Sequence, residues 1–215
     1  MKKRICASLL AVALVISLFA GITASAKGEV FSDVPMDSWG AEYVYDLVER
    51  GIVSGYGDGT FGPRNSVQRC EYAKMLVNLT GTEIVNKAVS PYVDVPSWEW
   101  YFPYVNSSTG FMVGYTVDGT LYFRPEQDAT REEIIVALVK ALNLSVDSCE
   151  DPTAYLSERF VDVDTVSEHN RKYIAAAVDH GFITGNENGT LCGQDPIIRL
   201  EIVAILYRAF PPKQA

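Results

Sequence analysis

One short pattern occurs three times in this 215-residue chain: Gln68-Arg69-Cys70-Glu71, Thr130-Arg131-Glu132-Glu133 and Ile198-Arg199-Leu200-Glu201. Each copy follows a glycine-rich turn ending in Gly-Thr plus Phe or Leu, and each opens a segment with apolar residues at helical spacing. Copies recurring at roughly 60- to 70-residue intervals with matching flanks mean an internal repeat, in which like units pack on one another.

The flanks extend the match. The first repeat (27–85) opens at Phe31-Ser32-Asp33-Val34-Pro35, carries a helical pattern from about Trp39 to Gly51, and predicts a second helix from about Gln68 to Leu79. The second (86–145) opens at Tyr92-Val93-Asp94-Val95-Pro96, has a shorter first helix with Pro103 in its first turn, and predicts a helix from Arg131 to about Leu142. A polar linker is expected over 146–159. The third (160–215) opens at Phe160-Val161-Asp162-Val163 and ends in a helix from Arg199 to near Phe210. Counted from each arginine, Ala73, Ile135 and Val203, then Leu76, Leu138 and Leu206, then Val77, Val139 and Tyr207 form one apolar stripe. A unit of roughly 50 residues with two helices buries too little surface alone, so the expected fold is one mostly α-helical assembly of three packed repeats.

The N-terminus reads as a leader. Lys2, Lys3 and Arg4 precede an apolar run from Ile5 to Ala20, and Ala24-Ser25-Ala26 supplies a small-x-small exit, the pattern of a secretory signal peptide over 1–26. The run is near the lower limit for a membrane span, and no other stretch is long and apolar enough to span. The formal charge is −9. Loss of the three leading cations leaves 15 basic residues against 27 acidic ones, about −12. A surface so acidic argues against nucleic-acid binding, which displaces counterions with a basic face. Cys70, Cys149 and Cys192 remain after the leader, an odd number whose positions match neither a disulfide framework nor a zinc site and leave open one bridge beside one free thiol.

Phe-x-Asp-Val, an aromatic helix start, Gly-Ile-Val-x-Gly, Asp-Gly-Thr-Phe-x-Pro and Thr-Arg-x-Glu, in that order, resemble the S-layer homology (SLH) domain, and three in tandem look like a bacterial cell-wall anchoring module. The resemblance covers Val30 to about Pro211. It implies a pseudo-threefold bundle with grooves between repeats. It also implies non-covalent binding of wall-linked secondary polysaccharide, often pyruvylated, or another peptidoglycan-linked polymer, by a protein exported to the cell wall or surface. Carried onto this sequence, it places Arg69, Arg131 and Arg199 in the grooves and matches Asp33, Asp94, Asp162, Trp39, Trp100, Gly55, Gly114 and Gly185 to the family's other recurrent positions.

The chemistry of these residue types suits that ligand. An arginine in a helix's first turn stands beside unpaired amides and the positive dipole end, and its planar guanidinium takes a carboxylate bidentately. A Trp face covers the apolar side of a sugar ring, an Asp accepts hydroxyl hydrogen bonds, and a glycine admits close approach. Each has a structural alternative: a salt bridge for the arginines, bracing of the first helices for the aspartates, the core for Trp39 and Trp100. Glu71, Glu133 and Glu201 read as capping-box partners. Only repeat two has a capping Thr130; Gln68 caps weakly and Ile198 has no capping oxygen. His169 stands where repeat three should have its aromatic, and Gly193 where the others have Pro63 and Pro125, so repeat three reads as the most eroded. These features rank Arg131 ahead of Arg199 as a ligand contact.

Enzyme readings find little support: His169 and His180 sit outside any hydrolase motif, and the aspartates recur once per repeat as a framework would. The Asp-Gly turns lack the alternating acids of a calcium loop. The expectation is a non-enzymatic anchor with no cofactor or metal. A module that binds a surface protein or its own copies is the alternative.

Overall fold

A computed structural model of the chain describes residues 31–85 and 87–212; the leader read at 1–26 lies outside them. The described chain is mostly α-helical. Repeat one contributes α1 (Ala41–Glu49) and α2 (Arg69–Thr80), and repeat two α3 (Phe102–Ser107) and α4 (Arg131–Ala141). A further helix α5 (Pro152–Ser157) precedes α6 (Arg171–Asp179) and α7 (Arg199–Ala209) of repeat three. Strands β1 (Tyr115–Val117) and β2 (Thr120–Tyr122) pair antiparallel between α3 and α4.

The stripe is the core. Ala73, Leu76 and Val77 of α2, Ile135, Leu138 and Val139 of α4, and Val203 and Leu206 of α7 are all buried, while Tyr207 is half-buried against them. Each fully buried Leu, Ile or Val of this set contributes about 1.5–3 kcal/mol of apolar transfer. The helices pair across repeat boundaries: α3 packs on α2, α6 on α4, and α1 closes back on α7. Each first helix therefore leans on the second helix of the preceding repeat, and the start of the described chain meets its end. The fully buried Tyr72 adds a polar tie, its hydroxyl donating to Ile134 O at 2.8 Å between α2 and α4.

The same cyclic order runs through the backbone. Arg69 N–H and Cys70 N–H donate to Gln127 O and Pro125 O; Arg131 and Glu132 donate to Asp195 O and Gly193 O; Arg199 and Leu200 donate to Asn65 O and Pro63 O. Isolated bridges Gln68–Asp128, Thr130–Pro196 and Ser66–Ile198 join the same three lead-in segments. Helix starts need partners for their free amides, and here each start borrows carbonyls from the next repeat. Gly193 offers its carbonyl as Pro63 and Pro125 do, so losing proline there costs the ring no hydrogen bond.

Two segments differ from the sequence reading. The expected linker contains α5, capped by Asp151, whose carboxylate accepts from Ala154 N at 2.9 Å, with Pro152 in its first turn. Leu156 is fully buried and the helix packs on α6. The Asp-Pro start was a readable signal, outweighed by the polarity of the flanking residues. In repeat two the turn is a true hairpin, because Asp118 and Gly119 both take positive φ (49° and 77°) between β-branched strand residues.

Candidate functional site

The three arginines sit at the junctions between repeats, and all are buried. Arg69 is 2% exposed. Its Nε donates to Phe123 O at 2.9 Å, one terminal nitrogen to Val113 O at 2.7 Å, and the other to Glu133 Oε1 at 2.8 Å. Arg131 reaches Glu201 at 3.5 Å and Arg199 reaches Glu71 at 3.7 Å, so the ion pairs follow the cyclic order of the backbone bonds. Aromatic rings flank two of them: Arg69 lies 4.9 and 4.8 Å from the centroids of Tyr115 and Phe123, Arg199 5.0 and 4.7 Å from those of Tyr56 and Phe61.

Each glutamate serves twice. Its second oxygen accepts from the N-cap amide of its own helix, at 2.9 Å (Gln68–Glu71), 3.1 Å (Thr130–Glu133) and 3.2 Å (Ile198–Glu201). Only Thr130 adds the reciprocal side-chain cap, to Glu133 N at 3.3 Å. Glu133 also accepts from the Tyr115 hydroxyl, whose pKa is pushed up to about 12, chiefly by burial and then by that hydrogen bond, so it stays a donor at neutral pH. The helix starts are not open anion sites, since the first two amides of α2, α4 and α7 are taken by neighbouring carbonyls.

The aspartates occupy one repeated position. Asp33 accepts from Phe61 and Gly62 amides at 2.8 Å each; Asp94 from Phe123 and Arg124 at 2.8 and 2.7 Å; Asp162 from Leu191 and Cys192 at 2.7 and 2.8 Å. They clamp the turn that leads into each second helix. The glycines have packing reasons inside their own repeats: a Cβ on Gly55 would meet the Phe31 ring and Thr60 O, on Gly114 the Tyr92 ring and Tyr122 O, and on Gly185 the Phe160 ring. Both tryptophans are on the surface, Trp39 64% and Trp100 51% exposed.

Two grooves are lined by residues from all three repeats. One, of about 580 Å³, holds Arg69 from repeat one, Gly114 and Lys140 from repeat two and His169 from repeat three. Glu132, buried beneath it, accepts from Ser167 N at 2.7 Å and Gln194 Nε2 at 2.9 Å and ties repeat two to three. The other, of about 510 Å³, holds Gly55 and Lys74 from repeat one, Trp100 from repeat two and Arg199 from repeat three. Lys74 was missed by the sequence reading because it lies outside the repeated motif. Its ammonium stands 5.7 Å from the ring centroids of both Trp100 and Tyr104 and makes no ion pair among the described residues. Trp39, Arg131 and Gly185 line neither groove.

The S-layer homology domain model matches residues 30–73 and 159–203. The chain carries S-layer homology domains at these two positions. The matched SLH segments include repeat three, which the sequence reading treated as the most eroded. Between them lies repeat two, with its six-residue α3 and its hairpin. The chain is similar to the surface-layer 125 kDa protein of Lysinibacillus sphaericus, 28% identical over 91% of this chain and 16% of that protein. It is 29% identical to the S-layer protein sap of Bacillus anthracis over 70% of this chain and 18% of that one. An amylopullulanase of Thermoanaerobacterium thermosulfurigenes is 25% identical over 88% of this chain but 10% of its own length. The chain thus spans less than a fifth of each of these relatives. These SLH segments, shared with S-layer and cell-wall proteins, place it at the cell surface. Among the described residues no helix is long and apolar enough to cross a membrane.

Proposed function

We propose that this chain attaches non-covalently to the bacterial cell wall by holding an anionic, wall-linked secondary polysaccharide in the grooves between its repeats, which are arranged about a pseudo-threefold axis. The cyclic order of helix, backbone and ion-pair contacts supports the axis. One observation carries the ligand: the smaller groove assembles Lys74, Arg199, Trp100 and Gly55 from three repeats. The ammonium of Lys74, with no carboxylate partner among the described residues, is the free charge that an acidic sugar needs. The half-exposed face of Trp100 beside it suits the apolar side of the same ring. Arg199 closes the floor: one terminal nitrogen donates to Ser54 O at 2.5 Å and the other reaches Glu71 at 3.7 Å, and the side chain lines this groove whereas Arg131 lines neither. Arg199 thereby moves ahead of Arg131, reversing the order expected from the Thr130 cap.

The test is retention on isolated cell-wall fragments before and after the non-peptidoglycan polymer is stripped. Lys74→Ala removes a charge without touching the arginine–glutamate ring, and its retention should fall about tenfold, the scale of one charge-assisted hydrogen bond. Arg199→Ala should weaken retention more than Arg131→Ala. Parent binding should disappear on stripping and weaken in salt. Unchanged retention of Lys74→Ala and Arg199→Ala would refute the groove assignment. Binding that survives stripping would favour peptidoglycan or a surface-protein partner instead.

A further inference from the structure

We infer, on the reading that the chain holds wall glycan, that repeat two carries an additional sugar subsite centred on Trp98, continuous with the larger groove, which takes an uncharged ring of the same glycan chain. Trp98 lies four residues after Asp94; the equivalent residue in repeat one is Asp37, so this ring is particular to repeat two. It is 82% exposed, more than either repeat-matched tryptophan, and so contributes little to the core. A protein gains nothing for its own fold by holding an indole in water.

Trp98 borders a shallow, open depression of about 610 Å³. Arg124 and Gln127 line both this depression and the larger groove, so a chain lying in the groove runs directly onto the Trp98 face. Arg124 marks the boundary. Its backbone sits at φ 57°, Asp94 accepts from its amide, and its guanidinium rests 4.3 Å from the Tyr115 ring centroid.

The chemistry on the two sides of Arg124 differs. On the groove side Arg69, Glu132 and Glu133 are taken up in bonds within the protein, which leaves Lys140 and Arg124 itself as the cations that suit an acidic sugar. The Trp98 side presents the carboxylates of Glu99 and Glu126, which repel an anionic substituent and accept hydroxyl hydrogen bonds. Such a pair of surfaces selects a polymer in which an acidic unit is followed by a neutral one.

The probe is glycan released by mild acid from isolated walls of a surface-layer-bearing bacterium, sized by gel filtration into single acidic sugar units and longer chains. Calorimetric titration of the parent should give tighter binding of the longer chains. Trp98→Ala should cut that advantage by roughly fivefold to tenfold while leaving single-unit affinity unchanged, and Trp98→Tyr should restore most of it. The unchanged single-unit affinity also reports an intact fold. Equal parent affinity for short and long chains, or a Trp98→Ala variant that keeps the long-chain advantage or weakens both fractions alike, overturns the subsite and leaves the anchoring reading standing. A parent that binds no fraction overturns both.

Discussion

Replacing Glu133 by alanine tests the junction chemistry most directly. The carboxylate accepts from the Thr130 amide at 3.1 Å and from Arg69 at 2.8 Å, and the Arg69 side chain is 3% exposed. Losing the N-cap bond costs about 1 kcal/mol. Stranding a donor of a buried guanidinium costs more. Breaking buried pairs costs about 3–5 kcal/mol, but Glu133 is partly exposed and Arg69 keeps two carbonyl partners, so about 2 kcal/mol is the discounted value. The sum, about 3 kcal/mol, corresponds to a fall in Tm of roughly 6–12 °C for a chain of this size. Glu201→Ala removes a 3.5 Å contact from a carboxylate that is 36% exposed. With the exposed-pair discount its loss should total about 1–1.5 kcal/mol. Urea unfolding followed by far-ultraviolet circular dichroism, with tryptophan fluorescence as the second probe, measures both. A double-mutant cycle with Arg69→Met should return a coupling of at least about 1 kcal/mol. Equal destabilisation by the two glutamate substitutions, or a coupling near zero, would show that the buried Arg69–Glu133 pair does not hold the repeats together.

Three further outcomes follow from the same structure. Asp94→Ala strands the Phe123 and Arg124 amides and should cost about 2 kcal/mol, with faster hydrogen exchange at those two amides; unchanged exchange would mean that the turn holds itself. Burial, and then the charge of Glu71, pushes the Cys70 thiol from the usual 9.0 up to about 12. Burial and the bond to Glu133 raise Tyr115 from 10.0 to about 12. Folded-state values above the unfolded ones mean stabilisation present in full below about pH 9 and lost as pH rises towards 12. The urea midpoint should therefore decline above about pH 9, and iodoacetamide at pH 8 should label the half-buried Cys149 and Cys192 but reach Cys70 only in urea. Labelling of all three thiols in the native protein would contradict this placement.

The local features were legible because local chemistry sets them. The stripe from Ala73 through Val77 and its two counterparts has helical spacing that needs burial wherever it lies. Glu71, Glu133 and Glu201 bond the amide three residues back because that is the reach of a carboxylate at the third helical position. The acidic balance and the repeated order of motifs were likewise written in one dimension, and the motifs led to the SLH domain.

The tertiary structure decided the partners. No periodicity says that α1 rests on α7, or that Arg69 finds its carboxylate 64 residues away in the next repeat. Nor does it say that the aspartates spend both oxygens on a turn. Lys74 shows the difference most clearly. In the sequence it is an unremarked lysine on an amphipathic helix, and only the packing of α3 on α2 brings Trp100 and Tyr104 to its ammonium. The sequence by itself determined the repeat, the helices and their apolar faces, since these depend on neighbours within a turn or two. The grooves were decided by which helix packs against which, because each is built from three repeats and exists only where their side chains converge.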